Sequence, residues 1–289
     1  MIKLDKKLTI IGGDKRNVKL AEMLVNDGYE VYTYGLDDVV LSNSKLIKLD
    51  NLGEAIDKSK YIIGPIPFTN KENEIKMPFS QKKITVKDIS EHISNKVLIA
   101  GSIKDDDSKI IEQKAGRVID ILKNEELAVL NAITTAEGAL SIAISESEKN
   151  LNGSNILIIG FGRIGKILSK MLNALGANVF CAARKNDDIA WIKAYGYKEI
   201  RLNEIDKNID SYDFIFNTAP ALILDEKRLD NINKNCLVID LASNPGGIDR
   251  KSAEQKNVKF IWALGLPGKI SPTTSAEFLK KAIYSIIEE

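Results

Sequence analysis

Short runs of β-branched and other apolar residues alternate with amphipathic segments of helix length through almost the whole chain. This alternation is typical of an α/β fold in which helices connect parallel strands. Helices such as Arg16–Asp27 and Asp106–Lys114 are predicted in the first half. The strands predicted there lie near Leu8–Ile11, Glu30–Tyr34, Tyr61–Ile63, Lys96–Ala100 and Arg117–Asp120.

The second half contains six further strand candidates, which is the number in a doubly wound dinucleotide-binding sheet. They are Asn155–Ile159, Asn178–Ala182, Lys198–Ile200, Asp213–Asn217, Cys236–Leu241 and Lys259–Trp262. We therefore predict an α/β protein of two domains. The C-terminal one has a doubly wound, Rossmann-type parallel sheet, and the N-terminal one is a Rossmann-like α/β domain completed by the C-terminal helix.

The chain length of 289 residues suits two domains. From Glu125 to about Lys149 apolar residues recur at helical spacing, with a break expected near Thr134-Thr135, and a turn cluster follows at residues 150–154. A last amphipathic helix, about Thr274–Glu288, would pack on the first domain. The predicted domains are residues 1–124 plus 271–289, a connecting helix 125–150, and a dinucleotide-binding domain 151–270.

Composition argues against several classes of function. Lys and Arg total 41 and Asp and Glu total 40, so the basic excess of a nucleic-acid-binding protein is absent from the sequence. The first residues lack a secretory signal, and no apolar stretch approaches the roughly 18 residues that span a bilayer. We expect a cytoplasmic protein without membrane contact. Cys181 and Cys236 lie in apolar runs and are expected to be buried, with no Cys-x-x-Cys spacing and no metal site.

The sequence Gly-Phe-Gly-Arg-Ile-Gly at positions 160–165 is the strongest functional motif. It follows a predicted strand and opens a predicted helix, which is the context in which such glycines hold a dinucleotide pyrophosphate against the helix N-terminus. The alternative is a tight turn without a ligand. The predicted cofactor contacts here are Gly160, Gly162, Arg163, Ile164 and Gly165.

The end of the next strand predicts the type of cofactor. NAD sites place a carboxylate about 20 residues after the glycines, where it bonds the ribose 2′-hydroxyl. Arg184 stands there instead, followed by Lys185. Because a guanidinium suits a 2′-phosphate, we predict NADP, with NAD disfavoured. In the alternative, Arg184 is a solvated loop residue and Asp187 or Asp188 reaches the ribose.

Ligands of such sheets bind outside the carboxyl ends of the strands. Small and polar residues follow two later strands and a glycine- and proline-rich loop, Gly265–Pro272, follows the last one. They leave room for ribose and nicotinamide, although each segment alone is compatible with an ordinary turn. The predicted contacts are Asn217, Thr218, Ala219, Pro220, Leu241, Ala242, Ser243 and Gly265, with Ser243 also on the substrate side.

In the first half, Gly12-Gly13-Asp14-Lys15-Arg16 joins a strand to a helix without completing the dinucleotide motif. Arg16 is a candidate ligand for a substrate carboxylate. Alternatively, Asp14 caps the helix and Arg16 is exposed. Thr134, Thr135 and Glu137 interrupt an apolar helix where the domains should meet, and clefts between domains favour ligands. They are candidates for substrate contact, or else they form a cap.

A nicotinamide cofactor makes hydride transfer the default chemistry. The only histidine, His92, reads as a residue on a helix surface. A histidine-driven oxidation of a hydroxyl group is therefore disfavoured. The remaining candidates for the catalytic proton acceptor are Asp14, Glu137 and water, and an oxidation that forms an aromatic ring needs less help from a strong base.

Five motifs occur in an order that resembles the dipicolinate synthase A-subunit family of endospore-forming bacteria, from about Lys7 to the C-terminal helix. They are Gly12–Arg16, Thr135–Gly138, Gly160–Gly165, Asp240–Gly247 and Gly265–Gly268. The first, fourth and fifth, taken together, are much more specific than the third.

The resemblance implies oxidation of dihydrodipicolinate, from a branch of the lysine pathway, to pyridine-2,6-dicarboxylate, with hydride transfer to NADP. It also implies a location in the mother cell during sporulation and a partner, the flavoprotein-like B subunit of dipicolinate synthase. A homo-oligomer is compatible with the resemblance. A dicarboxylate substrate would explain Arg16, and Asn244 would hold a carboxylate weakly. The alternatives are another NAD(P)-dependent amino- or hydroxy-acid dehydrogenase, or a nucleotide-binding regulatory subunit without catalysis of its own.

Overall fold

The computed structural model describes residues 6–40 and 43–288, and the chain divides into two compact units. The first unit comprises Met1–Leu130 and Ser271–Glu289, and the second comprises Asn131–Ile270. Residues 1–5, in which the sequence predicts no secretory signal, lie outside the described residues.

The first unit contains a six-stranded parallel sheet in the order β3-β2-β1-β4-β5-β6. Its strands are β1 (Lys7–Ile11), β2 (Glu30–Tyr34), β3 (Leu46–Lys48), β4 (Tyr61–Ile63), β5 (Val97–Ala100) and β6 (Arg117–Asp120). Its helices are α1 (Lys15–Asn26), α2 (Leu52–Asp57), α3 (Val86–Ser90), α4 (Asp105–Glu112) and the start of α5 (Glu125–Glu146). A 3₁₀ turn covers Ile121–Lys123. Strand β3 was not predicted from the sequence.

The second unit repeats this architecture, with the strand order β12-β11-β10-β7-β8-β9 and all neighbours parallel. The six predicted strands are confirmed within two residues at each end. They are β7 (Asn155–Ile159), β8 (Asn178–Ala183), β9 (Lys198–Arg201), β10 (Phe214–Asn217), β11 (Leu237–Asp240) and β12 (Phe260–Trp262). The helices are α6 (Arg163–Ala174), α7 (Asn186–Ala194), α8 (Glu226–Leu229), α9 (Arg250–Gln255) and α10 (Leu266–Ile270), with 3₁₀ turns at Leu202–Lys207 and Ile209–Ser211.

The C-terminal helix α11 (Pro272–Ile287) completes the first unit, as predicted. Leu279 and Ile283 of α11 share one hydrophobic core with Leu20 and Leu24 of α1, and all four are at most 4% exposed. Burial of each such side chain stabilises the unit by roughly 1.5–3 kcal/mol.

Helix α5 is continuous over 22 residues, so the predicted break near Thr134-Thr135 is wrong. By length and composition it is also apolar enough to cross a membrane, which corrects the expectation of no such stretch. Core helices of globular proteins pass the same test. Leu127 lies in the core of the first unit and Ala139 and Ala143 in the core of the second, all at most 1% exposed.

The segment Gly265–Pro272 is not wholly a loop as predicted, because Leu266–Ile270 forms α10. Gly138 of α5 lets this helix approach closely, since a Cβ atom added there would lie 3.0 Å from the Leu266 side chain.

Candidate dinucleotide-binding site

The glycine turn of the second unit joins β7 to α6 at the centre of its sheet, between β8 and β10. Gly160 has φ +96°, where a side chain would be strained, and an added Cβ would lie 2.5 Å from the Thr218 hydroxyl. At Gly165 an added Cβ would lie 2.2 Å from the Gly160 carbonyl oxygen. These two glycines are required by the fold of the turn itself.

Gly162 differs from both, because nothing lies within 4 Å of a Cβ added to it and its φ is −81°. Neither the backbone nor a neighbouring side chain of the turn requires glycine there. Gly162 is the N-terminal cap of α6, makes no side-chain capping bond and precedes a first turn without acidic residues. The first N–H groups of such a helix have no intrahelical acceptor and attract anions. This open cradle fits a dinucleotide pyrophosphate.

Thr218, at the end of β10, supports the turn from the side. Its hydroxyl donates to the carbonyl oxygens of Ile159 (3.0 Å) and Gly160 (3.3 Å). The side chain predicted to contact the cofactor therefore also fixes the backbone that would carry the pyrophosphate. Ala219 is half-buried and Pro220 is exposed beside it.

Asn217 was predicted as a direct cofactor contact, but its side chain is fully buried. Its amide donates to Asp240 Oδ1 (2.7 Å) and to the Ala219 carbonyl (3.0 Å), and its Oδ1 accepts from the Ala219 N–H. These bonds occupy the amide, so Asn217 holds the end of β10 in place, and its contact with the cofactor stays a prediction. Gly247 explains the close packing, since an added Cβ would lie 2.0 Å from Asn217 Nδ2.

Asp240, the partner of Asn217, begins the motif Asp240–Gly247, but the sequence alone predicted no role for it. It is 1% exposed, and its carboxylate accepts from the backbone N–H groups of Ala242 (3.1 Å) and Gly247 (2.8 Å). This buried carboxylate shapes the loop after β11. Leu241 and Ala242 are buried in that loop, whereas Ser243 and Asn244 are exposed.

A cavity of about 610 Å³ lies at the carboxyl ends of β8 and β9, and Arg184 lines it. Lys185 does not; it is exposed and forms the N-terminal cap of α7. Asp187 and Asp188, the alternative ribose ligands, lie in the first turn of α7 and are also absent from the lining. Among the described residues that line this cavity, the charged side chains are all arginines.

The first unit has a comparable glycine turn after β1, but a side chain fills it. A Cβ added to Gly12 would lie 2.5 Å from Met77 Cγ, and one added to Gly35 would lie 2.4 Å from Met77 Sδ. Gly13 donates its N–H to the Lys76 carbonyl (2.9 Å). The segment that carries Met77 therefore occupies the place of a dinucleotide in this unit.

Arg16 was predicted to bind a substrate carboxylate, with exposure as the alternative. The structure contradicts the exposure, and the substrate contact stays a prediction. Arg16 is 4% exposed and forms a bidentate pair with Asp14, Nε to Oδ1 at 2.9 Å and Nη2 to Oδ2 at 2.8 Å. Nη2 also donates to the Ile66 carbonyl. Asp14 caps α1 by accepting from the Arg16 N–H, as the alternative interpretation stated.

Burial opposes ionisation of Asp14, but the hydrogen bonds and the charge of Arg16 together outweigh it and hold the pKa of Asp14 below its usual value. An ion-paired carboxylate of low pKa is a weak proton acceptor.

The predicted contacts on α5 are placed as follows. Thr134 is 1% exposed, and its hydroxyl donates to the Asn131 carbonyl (3.0 Å), as does that of Thr135 (2.8 Å). These are bonds within a helix and not a cap. Glu137 is exposed, as is Gly265 in the second unit.

Other residues follow their predictions. His92 is exposed in the first unit, just after α3. Cys181 and Cys236 are at most 1% exposed, and burial raises the pKa of each thiol to about 12. Neither thiol is therefore a nucleophile at neutral pH.

Two family models match the chain, one in each half. Residues 7–122 match the N-terminal domain of the dipicolinate synthase A subunit. Residues 132–245 match the NAD-binding domain of D-isomer-specific 2-hydroxyacid dehydrogenases. A dinucleotide-binding domain of dehydrogenase type therefore forms most of the second unit.

Individual relatives are similar to this chain along its full length. The dipicolinate synthase A subunit of Bacillus subtilis is 28% identical over 287 residues, which are 98% of this chain and 96% of the relative. The crystal structure of the A subunit from Bacillus halodurans has a TM-score of 0.89 at 27% identity and covers 99% of both chains. The chain is thus similar to dipicolinate synthase A subunits along its whole length. The B. subtilis structure agrees, with a TM-score of 0.87 at 27% identity over 100% of this chain and 97% of that one. With this dehydrogenase-type domain, the chain is an oxidoreductase that binds a nicotinamide dinucleotide in its second unit.

Proposed function

We propose that this chain is the subunit of a dipicolinate synthase that oxidises dihydrodipicolinate to pyridine-2,6-dicarboxylate with hydride transfer to NADP. The observation that carries the proposal is Gly162, a glycine that the fold of its own turn does not require. Similarity along the whole chain to the A subunit of dipicolinate synthase supports the choice of reaction. The proposed setting is the cytoplasm of the mother cell during sporulation, and the proposed partner is the flavoprotein-like B subunit.

We assign the proposed cofactor contacts to groups that are accessible at the carboxyl edge of the second sheet. The backbone N–H groups at the start of α6, at Arg163, Ile164 and Gly165, face the pyrophosphate, and Gly160 and Gly162 leave room for it. Thr218, Ala219, Pro220, Ser243 and Gly265 line the ribose and nicotinamide side, with Leu241 and Ala242 contributing backbone only. Asn217 and Asp240 hold that side in place.

We propose NADP over NAD because the cavity at the end of β8 presents Arg184 where an NAD site presents a carboxylate. A guanidinium donates several charge-assisted hydrogen bonds to a phosphate, and a carboxylate there would repel it. Lys185 lies outside the cavity lining, so we assign it at most the long-range attraction of its charge.

When bound, the nicotinamide ring accepts the hydride that the substrate loses. The residues of the chain then orient the dicarboxylate and remove one proton. Ser243 and Asn244 are exposed after β11 and are the proposed carboxylate contacts. Asp14 is held ionised by Arg16, so Glu137, which is exposed, and water are the better acceptors. Formation of an aromatic ring favours this proton loss.

The test is nicotinamide absorbance with purified protein, NADP and dihydrodipicolinate, with and without the B subunit. We expect reduction of NADP together with appearance of the pyridine dicarboxylate. The test variant is Gly162→Val, which should abolish both signals while thermal unfolding shows that the protein remains folded.

Two results would contradict the proposal. Turnover of amino or hydroxy acids without dihydrodipicolinate would indicate another dehydrogenase. Binding of NADPH without any turnover, even in the presence of the B subunit, would indicate a purely regulatory role.

A further inference from the structure

The cavity beside Arg184 has a second and a third guanidinium in its wall, from Arg201 and Arg228. Apolar residues complete the lining, among them Leu202, Leu222 and Ile223. Leu222 is 63% exposed, although it is a large aliphatic side chain. An apolar wall combined with clustered guanidinium groups fits an adenosine that carries a phosphate on its ribose.

The sheet register brings Arg201 to this position. Ala183, the last residue of β8, lies opposite Arg201, the last residue of β9. Parallel neighbours are about 4.8 Å apart, so Arg184, one residue beyond Ala183, lies close to Arg201 at the carboxyl edge of the sheet. Both residues line the cavity there. The 16 residues that lie between them in sequence conceal this proximity.

A hydrogen bond fixes the direction of the Arg201 side chain. Its Nη1 donates to Oδ1 of Asn186 at 2.8 Å, in the first turn of α7. Because the acceptor is a neutral amide, this bond orients the guanidinium without neutralising its charge. The pKa of Glu204 is lowered mainly by Lys207, with which it pairs at 2.8 Å, and only in small part by the charge of Arg201. Glu204 is therefore neutralised by Lys207 and not by Arg201.

Arg228 is engaged differently. Its Nε donates to Asp206 Oδ1 at 2.7 Å, and its Nη1 donates to the Ile223 carbonyl at 2.7 Å. Its charge is balanced by Asp206, and it holds the loop that carries the apolar wall. Arg228 is therefore part of the scaffold of the cavity.

We propose that Arg201, oriented by Asn186, binds the 2′-phosphate of the coenzyme together with Arg184, and that this pair determines the preference for NADP. The inference rests on the proposed function, because it assigns a residue to the coenzyme of that reaction. It adds a residue at the end of β9 that determines coenzyme preference. Sequence motifs for coenzyme preference consider only the end of the preceding strand, here β8.

The experiment measures dissociation constants of NADPH and NADH by calorimetry, on the full chain without substrate. The variants are Arg201→Gln, Arg201→Lys and Asn186→Ala. The control is Lys193→Gln, an equal charge change on α7 at a lysine that pairs with Glu199 and lies outside the cavity lining. Adenosine 2′,5′-bisphosphate serves as a competing probe of the phosphate site alone.

We expect Arg201→Gln to weaken NADPH and the bisphosphate by at least about tenfold, as for loss of hydrogen bonds to a charged group, with NADH unchanged. Arg201→Lys should recover part of the loss, because it keeps the charge but not the planar fork. Asn186→Ala should weaken NADPH by about threefold, and Lys193→Gln should change neither coenzyme.

The inference is overturned if the native protein prefers NADPH but Arg201→Gln alters neither coenzyme, or weakens both equally. Native protein that binds neither coenzyme would overturn the proposed function and the inference together. Thermal midpoints of all variants identify any loss that comes from misfolding.

Discussion

The two units have sheets with the same strand order, and each places a glycine turn after its first strand, yet the two turns differ in what occupies them. In the second unit, the space beyond Gly162 is open. In the first, Met77 fills the space beside Gly12 and Gly35. The comparison shows that two sheets of the same strand order can carry an open glycine turn in one unit and a filled one in the other.

The difference originates in the connections that follow the fourth strand of each sheet. In the first unit, the connection from β4 to α3 folds on itself through isolated bridges between Thr69 and Ile75 and between Glu74 and Thr85, and it carries Met77. In the second unit, the chain after β10 turns at once and uses Thr218 to brace the glycine turn. In the first unit the side chain of Met77 therefore packs against the glycine turn, whereas in the second unit Thr218 supports the turn and the space beyond Gly162 stays open.

The largest effect is expected for Gly162→Val. The side chain enters the open space, so NADPH binding should weaken by at least about 100-fold through loss of two or more hydrogen bonds to the pyrophosphate. The thermal midpoint should fall by no more than about 4 °C, since valine at a helix N-terminal cap costs about 1 kcal/mol relative to glycine. Calorimetry and thermal unfolding measure the two quantities. Unchanged NADPH affinity would remove the basis for an open site in the second unit.

Met77→Ala tests the filled site of the first unit. Removal of this buried side chain should lower the free energy of unfolding by about 3 kcal/mol, from lost burial and the cavity left behind. The stoichiometry of NADPH should remain one per chain, because the first turn lacks the complete glycine motif. Urea unfolding and calorimetric titration provide the measurements. A second equivalent of bound NADPH would show that Met77 alone blocks the site.

Asp14→Asn tests whether the start of α1 is held by an ion pair. Asparagine keeps the helix cap but loses the charge opposite Arg16, so we expect a loss of about 2 kcal/mol at neutral pH. The pKa of Asp14 is lowered in the folded state, so its contribution is present above its ordinary pKa of 3.8 and disappears as pH falls through the folded value.

The stability difference between native protein and Asp14→Asn should therefore shrink as pH falls from about 5 toward 3. Urea unfolding at several pH values measures this trend. A difference that stays constant with pH would contradict the ion-pair assignment.

The smallest effect is expected for His92→Ala. The side chain is exposed in the first unit, so kcat and the thermal midpoint should both stay near those of the native protein. Steady-state kinetics with dihydrodipicolinate would detect a role. A fall in kcat of tenfold or more would assign this histidine to proton transfer and contradict an oxidation driven by aromatisation.

Much of the site's framework was predictable from local sequence. All six strands of the second unit follow from β-branched runs, and the glycine motif fixes where the pyrophosphate is proposed to lie. Arg184 was identified because a strand end is recognisable and the residue type there has a direct chemical meaning.

Residues whose role depends on distant partners were not predictable in this way. Arg16 was read as a ligand or an exposed residue, although Asp14 and the Ile66 carbonyl bury and bind it. Asn217 was read as a cofactor contact, but its amide is engaged by Asp240 on the neighbouring strand. Polar residues at strand ends look alike in sequence whether they face a ligand or each other.

The sequence by itself determined the alternation of strands and helices, the order of the two units and the glycine turn at Gly160, because these depend on residues adjacent along the chain. Only the tertiary structure decided that Met77 closes one turn and that Arg201 stands beside Arg184. Both facts depend on strand register and on contacts between segments that are distant in sequence. The hydrophobic pattern of one strand does not show which residue of a neighbouring strand lies opposite.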